Sequence, residues 1–123
     1  MRRLTVDHEV GTDAVIVRAA GDVDISTVRI LVEQLTEGLA LASTHPGRLL
    51  VLDLAEVSYF GSAGLNAALE CHEQGRAAGV AVRLVAEHGR VLRPLQVTNL
   101  DSVLAIFPTL DQALLPEDSE SQP

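Results

Sequence analysis

The chain has 123 residues, a formal net charge of −8 and one cysteine. This length fits a single domain with a buried core. The acidic balance argues against nucleic-acid binding, which requires a basic surface, and a lone cysteine cannot form an internal disulfide. The cationic side chains are nine arginines and no lysine, so Schiff-base and lysine acid–base chemistry are excluded.

Targeting signals are also missing from the sequence. No apolar run reaches the roughly 18 residues of a membrane span, and no apolar signal core follows the arginines near the N-terminus. We therefore expect a cytoplasmic protein that does not contact a membrane.

The first half of the chain predicts a hairpin followed by a helix. Residues 4–10 and 14–20 are apolar, loosely alternating segments separated by a glycine-containing turn, which is typical of paired strands. Gly21-Asp22-Val23-Asp24 is expected to end the second strand. Ser26 is then predicted to cap a helix, because apolar residues recur at helical spacing until Thr44.

Strands and helices then alternate to the end of the chain. Residues 49–54 predict a buried strand, 63–78 a helix stopped by Gly79, and 80–85 a further strand. A helix over 90–98, closing at Asn99, a strand over 103–107 and a last helix capped by Pro108-Thr109 complete the pattern. The prediction is one α/β domain over residues 1–115, with a mixed sheet opened by a β-hairpin and about four helices. Residues 116–123 are expected to be an acidic, disordered tail.

A small-residue turn, Gly61-Ser62-Ala63-Gly64, lies between the central strand and the second helix. The free backbone N–H groups of a first helical turn can hold a negative charge there. The Ser62 hydroxyl has three candidate roles at such a corner: helix cap, nucleophile or phosphorylation site. Phe60, just before the turn, is expected to be a core anchor.

These motifs resemble a STAS domain, and within that family a bacterial anti-sigma factor antagonist. The resemblance rests on Gly21-Asp22-Val23-Asp24 after the second strand, on a strand that leads to Gly61-Ser62-Ala63-Gly64-Leu65, and on the element order. In such proteins the corner usually reads Asp-Ser-Ser/Thr-Gly-Leu, so Gly61 replaces an aspartate and Ala63 replaces a second hydroxyl residue.

The resemblance implies a transcription regulator of the stress-response type. Such a protein binds an anti-sigma factor that is also a serine kinase with a histidine-kinase-like ATPase fold, and it thereby frees the sigma factor. Phosphorylation of the corner serine, here Ser62, releases the partner, and a phosphatase would reverse it. No cofactor is expected, because ATP belongs to the partner, and the protein itself is expected not to be an enzyme.

The remaining candidate site residues surround this corner. Asp22 and Asp24 are ordinary turn residues, or they accept hydrogen bonds from the partner beside Ser62. Asn66 and Glu70 lie on the outer face of the second helix, where they are simply solvated or border the docking surface. Gly61, Ala63 and Gly64 complete the predicted partner-binding set.

Other functions fit the sequence less well. A serine hydrolase elbow needs Gly-x-Ser-x-Gly, and Phe60 occupies the first glycine position. A response-regulator receiver would use the strand that contains Asp53, but it also needs a late lysine that the chain lacks. The histidines and Cys71 show no metal-ligand spacing, and Cys71 is expected to be a packing residue. A non-switching STAS scaffold or sensor module in a regulatory or transporter-associated complex remains the alternative.

Overall fold

The structure, a computed structural model, describes residues 3–116. These residues form five strands and four α-helices, with a short 3-10 turn at Leu100–Ser102. In chain order the elements are β1 (Thr5–Val10), β2 (Val15–Val23), α1 (Val28–Ser43), β3 (Leu49–Phe60), α2 (Ser62–Ala78), β4 (Ala81–Val85), α3 (Gly89–Val97), β5 (Ala105–Phe107) and α4 (Leu110–Ala113). The predicted order of strands and helices is confirmed.

One mixed sheet in the order β1-β2-β3-β4-β5 organises the molecule. The β1–β2 hairpin is antiparallel, and every later pairing is parallel. The predicted α/β class with an opening hairpin is therefore confirmed. Parallel pairing also brings the ends of β2 and β3 to one edge of the sheet, where Val23 pairs with Phe60.

The core lies on both faces of this sheet, because alternate residues of a strand point in opposite directions. Leu50, Leu52 and Leu54 of β3 pack with the buried faces of α1, α2 and α3. Leu49 and Val51 belong to a smaller cluster on the other face, which α4 covers through Ala113. Within residues 3–116 no helix is long and apolar enough to cross a membrane.

The two strands that lead to the serine corner are longer than the sequence pattern predicts. β2 runs through Val23 instead of ending at residue 20, and β3 runs to Phe60 instead of residue 54. They stay paired across two register shifts, which absorb the irregular residues. Gly21 lies at one of them with φ of +113°, and a Cβ there would collide with the Arg3 carbonyl.

Helix ends agree more closely with the sequence. Gly79 ends α2 in the left-handed conformation, with φ of 75°, and Asn99 adopts the same conformation after α3, with φ of 62°. The last helix was expected to run through Leu115, but it ends at Ala113. Of the predicted tail, residues 117–123 lie outside the described part of the chain.

Arg83 of β4 fixes the C-terminal segment. Its buried Nη1 donates hydrogen bonds of 2.7 Å to the carbonyls of Ala113 and Leu115, and its guanidinium lies 5.6 Å from the Phe107 ring centre. Pro116 lines the same recess as Leu49, the first residue of β3. The C-terminal segment is thus held at the sheet edge opposite the serine corner.

Candidate functional site

Ser62 is the first residue of α2, and Gly61 occupies the N-cap position in extended backbone, with φ of −87° and ψ of −171°. The Gly61 carbonyl accepts the first helical hydrogen bond from the Leu65 N–H at 3.1 Å. The prediction that Ser62 caps α2 is therefore wrong, because the helix has already started one residue earlier. Its side chain is exposed and makes no hydrogen bond within residues 3–116.

The backbone around Ser62 is fixed by close packing beneath it. A Cβ at Gly64 would lie 2.7 Å from the Phe60 ring and 2.9 Å from the Val23 side chain. Phe60 is only 2% exposed, which confirms it as a core anchor. The Gly61 N–H also donates to the Val23 carbonyl at 3.0 Å. Gly64 therefore acts beneath the corner, where only a hydrogen fits, and not on its surface.

The Tyr59 ring lies over Gly61. A Cβ built on Gly61 would come within 2.8 Å of the Tyr59 hydroxyl and 2.9 Å of its ring. Tyr59 is 54% exposed, so it is a surface group that lies beside the corner. The glycine in place of the usual aspartate thus leaves room for an aromatic side chain next to Ser62.

Asp24 organises the loop between β2 and α1. Its carboxylate accepts hydrogen bonds from the Ser26 hydroxyl at 2.7 Å, the Ser26 N–H at 2.9 Å and the Thr27 N–H at 3.1 Å. These donors, the Ser26 hydroxyl first, hold the pKa of Asp24 below its ordinary value. The predicted Ser26 cap is wrong: α1 begins at Val28, after Thr27, and Ser26 donates to Asp24 instead.

A groove of about 590 Å³ lies over this corner. Six predicted site residues line it together: Asp24, Gly61, Ser62, Ala63, Asn66 and Glu70. Gly64 is buried beneath it, and Asp22 is a half-buried β2 residue opposite Tyr59 that does not line it. The strand ends at Val23, within the predicted Gly21-Asp22-Val23-Asp24 element, so Asp22 lies one residue before its end.

Apolar side chains of the groove were missed by the sequence analysis. Ile25 is 88% exposed and lines the groove with Tyr59, Val28 and Val32. One signal was present: Ile25 is an apolar residue in the otherwise polar segment Asp24-Ile25-Ser26-Thr27, before the start of α1. Such a residue has no place in the core and is therefore a contact candidate.

Among residues 3–116 the charged residues that line the groove are both acidic, Asp24 and Glu70, and no arginine lines it. Within this part of the chain, a negative group on Ser62 would therefore rely on the N–H groups at the start of α2. No histidine of the described residues lines the groove either, so none of them places an imidazole base beside Ser62. Burial raises the pKa of Cys71 to about 12, which makes that thiol a packing group. Residues 3–116 contain no group of three or more metal-ligand side chains.

The fold and this corner define a class of protein. The model of the STAS domain matches residues 5–113, and the chain belongs to the STAS domain family. This confirms the resemblance drawn from the sequence.

Similar proteins include anti-sigma factor antagonists. The chain is 31% identical over 101 residues to a proposed anti-anti-sigma factor of Mycobacterium tuberculosis, covering 82% of this chain and 67% of that protein. It is 29% identical over 112 residues to the anti-sigma-F factor antagonist RsfA of the same organism, covering 91% and 84%. A crystal structure of an anti-sigma factor antagonist from Mycobacterium paratuberculosis matches with a TM-score of 0.79 and 27% identity, covering 90% and 91%.

Proposed function

We propose that this chain is a cytoplasmic anti-sigma factor antagonist that binds an anti-sigma factor serine kinase and frees its sigma factor. Phosphorylation of Ser62 by that kinase ends the interaction, and a phosphatase restores it. The proposal needs no cofactor and no catalytic residue on this chain, since ATP and the phosphoryl-transfer machinery belong to the partner.

One observation carries the proposal: the Ser62 hydroxyl is exposed, free of hydrogen bonds within the described residues and held on a rigid corner inside a groove. A kinase must reach its acceptor hydroxyl without first unfolding the substrate. An N-cap serine would have to give up its bond to the helix, whereas Ser62 has no such bond to lose. The relatives named as antagonists supply the second support.

Local charge accounts for the switch. A phosphate adds about −1.5 to −2 charge at pH 7, and the start of α2 can stabilise it without a change of fold. A partner packed over the groove would have to desolvate that charge, and an incompletely paired buried ion costs several kcal/mol. Because every 1.4 kcal/mol is tenfold in affinity, the modification is sufficient to release the partner.

The test uses the 123-residue chain as bait in the cells from which it comes. We expect a histidine-kinase-like ATPase to be recovered, and mass spectrometry of the bait to place phosphate on Ser62. The matched control is Ser62→Ala, which should recover the same ATPase and carry no phosphate. Recovery of no such ATPase, or phosphate only on other residues, would contradict the proposal.

A further inference from the structure

Ile25 is the most exposed of the large apolar side chains in the described chain, at 88%. It lies at the rim of the groove that contains Ser62. An isoleucine held in water contributes nothing to the core, and burial against another protein would remove its apolar surface from water. Tyr59, also largely exposed, lines the same groove. Tyrosine is among the residue types that are enriched at interface hot spots.

The loop that presents Ile25 is braced on both sides of it. Asp24 accepts from Ser26 and Thr27, as described above, and the Thr27 hydroxyl donates to the Asp22 carbonyl at 2.9 Å. The Asp24 N–H in turn donates to the Thr27 hydroxyl at 3.0 Å. A side chain on such a loop is already in place before a partner arrives, so little conformational freedom is lost on binding.

We propose that this groove seats a partner segment in which an apolar side chain contacts Ile25 and Tyr59 and a neighbouring arginine or lysine reaches Glu70. This inference rests on the proposed function and specifies the chemistry of the partner at the same site. The two carboxylates of the groove, Asp24 and Glu70, face no cationic side chain among its lining residues. A basic neighbour is therefore the complementary charge.

A second copy of this chain fits the groove poorly. Symmetric docking through Ile25 would bring the Asp24 and Glu70 carboxylates of the two copies together, and like charges oppose such contact. The chain also has a net charge of −8. The groove therefore favours a different protein with a basic docking segment.

This chemistry also explains how modification of Ser62 would act. A phosphate on Ser62 would occupy groove space that the apolar side chain of the partner needs, because Ser62, Ile25 and Tyr59 line the same groove. A dianion placed against an apolar anchor loses hydration that one basic neighbour does not fully replace. The partner would then be released because the phosphate loses hydration and fills the space of the partner's apolar side chain. These costs outweigh the attraction between the phosphate and the adjacent basic residue.

The test measures the affinity of the 123-residue chain for the purified anti-sigma factor kinase. Ile25→Ser should weaken binding about ten- to a hundredfold, because an anchor is removed, and Tyr59→Ala should act in the same direction. Val97→Ser is the matched control, since Val97 is 75% exposed on α3 and does not line the groove. Equal binding by Ile25→Ser and the unsubstituted protein overturns the inference.

Charge is tested separately. Glu70→Lys should weaken binding and reduce its dependence on salt concentration, whereas Glu87→Lys, an exposed charge outside this groove, should do neither. Unchanged affinity and salt dependence in Glu70→Lys would overturn the electrostatic half of the proposal.

Photo-crosslinking separates this inference from the proposed function. A benzoyl-phenylalanine at position 25, compared with one at position 97, should crosslink in the source cells to a segment with an apolar residue beside a basic one. A non-kinase partner with such a segment contradicts the proposed function but supports this inference. An acidic segment, a second copy of this chain, or equal yields at the two positions overturns it.

Discussion

Three helices in residues 3–116 begin next to a hydroxyl side chain, at Thr27, Ser62 and Thr109, and the hydroxyls at α2 and α4 have different roles. At α4, Thr109 is the N-cap, and its hydroxyl accepts a 3.1 Å hydrogen bond from the Gln112 N–H. At α2, Gly61 is the N-cap, and Ser62 lies one residue inside the helix without a capping bond. The fold uses the first hydroxyl and leaves the second exposed in a groove.

A shift of one residue is sufficient for this difference. The N-cap side chain can reach the free N–H groups of the first turn, whereas a residue inside that turn points away from them. With glycine at the cap, α2 begins without a side-chain acceptor, and Ser62 remains accessible to a partner. The comparison suggests that the exposed serine is a consequence of where the helix starts and not of weak local structure.

The largest expected effect concerns partner binding. Ser62→Asp should weaken binding to the anti-sigma factor kinase at least tenfold, because it introduces a charge into the docking groove. Thr109→Asp places the same charge at the other helix start, keeps a favoured cap residue and should leave binding unchanged. Isothermal titration of both variants measures the difference. Equal affinities would show that the two hydroxyl positions are equivalent for the partner.

The next effect concerns stability, and here Thr109 is expected to matter more than Ser62. Thr109→Ala should lower the free energy of unfolding by about 1 kcal/mol, because it removes a cap. Ser62→Ala should change it by less than about 0.5 kcal/mol, because no hydrogen bond is lost and alanine favours helix. Urea unfolding followed by circular dichroism would resolve the two values. A larger loss for Ser62→Ala would mean that its hydroxyl does support the helix.

The smallest effect concerns the Asp24 loop and pH. Since the folded-state pKa of Asp24 lies below its ordinary value, its carboxylate stabilises the loop above the ordinary aspartate range near pH 4. That stabilisation is lost as the pH falls through the lowered folded-state pKa. The protection of the Ser26 and Thr27 amides against exchange, measured relative to the intrinsic rate at each pH, should therefore fall at acid pH. Asp24→Asn should remove this pH dependence, and an unchanged profile in that variant would contradict the assignment.

Much of the fold could be predicted because the residues that end its helices act through their own backbone preferences. Gly79 and Asn99 adopt the left-handed conformation that such residues favour, so the ends of α2 and α3 follow directly from residue type. The strand ends could not be predicted in this way. β3 continues past Asp53 because β2 remains beside it across two register shifts, and that pairing is a tertiary contact.

The sequence indicated where several residues of the candidate site lie, but not which hydrogen bonds and neighbours they have. The sequence located Ser62, Asp24, Asn66 and Glu70, and the groove brings them together. The predicted cap at Thr109 is confirmed, whereas the caps at Ser26 and Ser62 are wrong. The residues at which α1 and α2 begin depend on backbone geometry that residue type alone does not determine. Ile25 and Tyr59 were missed as groove residues because exposure of an apolar side chain is decided by the fold around it.

The hydrogen bonds from Arg83 to the Ala113 and Leu115 carbonyls have a practical consequence for attaching anything to this protein. They hold the chain at the edge of the sheet where β3 begins, while Ser62 follows the end of β3. A fluorophore or affinity handle attached at position 116, where the described chain ends, therefore lies on the far side of the sheet. Such an attachment leaves the approach to Ser62 open, whereas one inserted near residue 25 would block it.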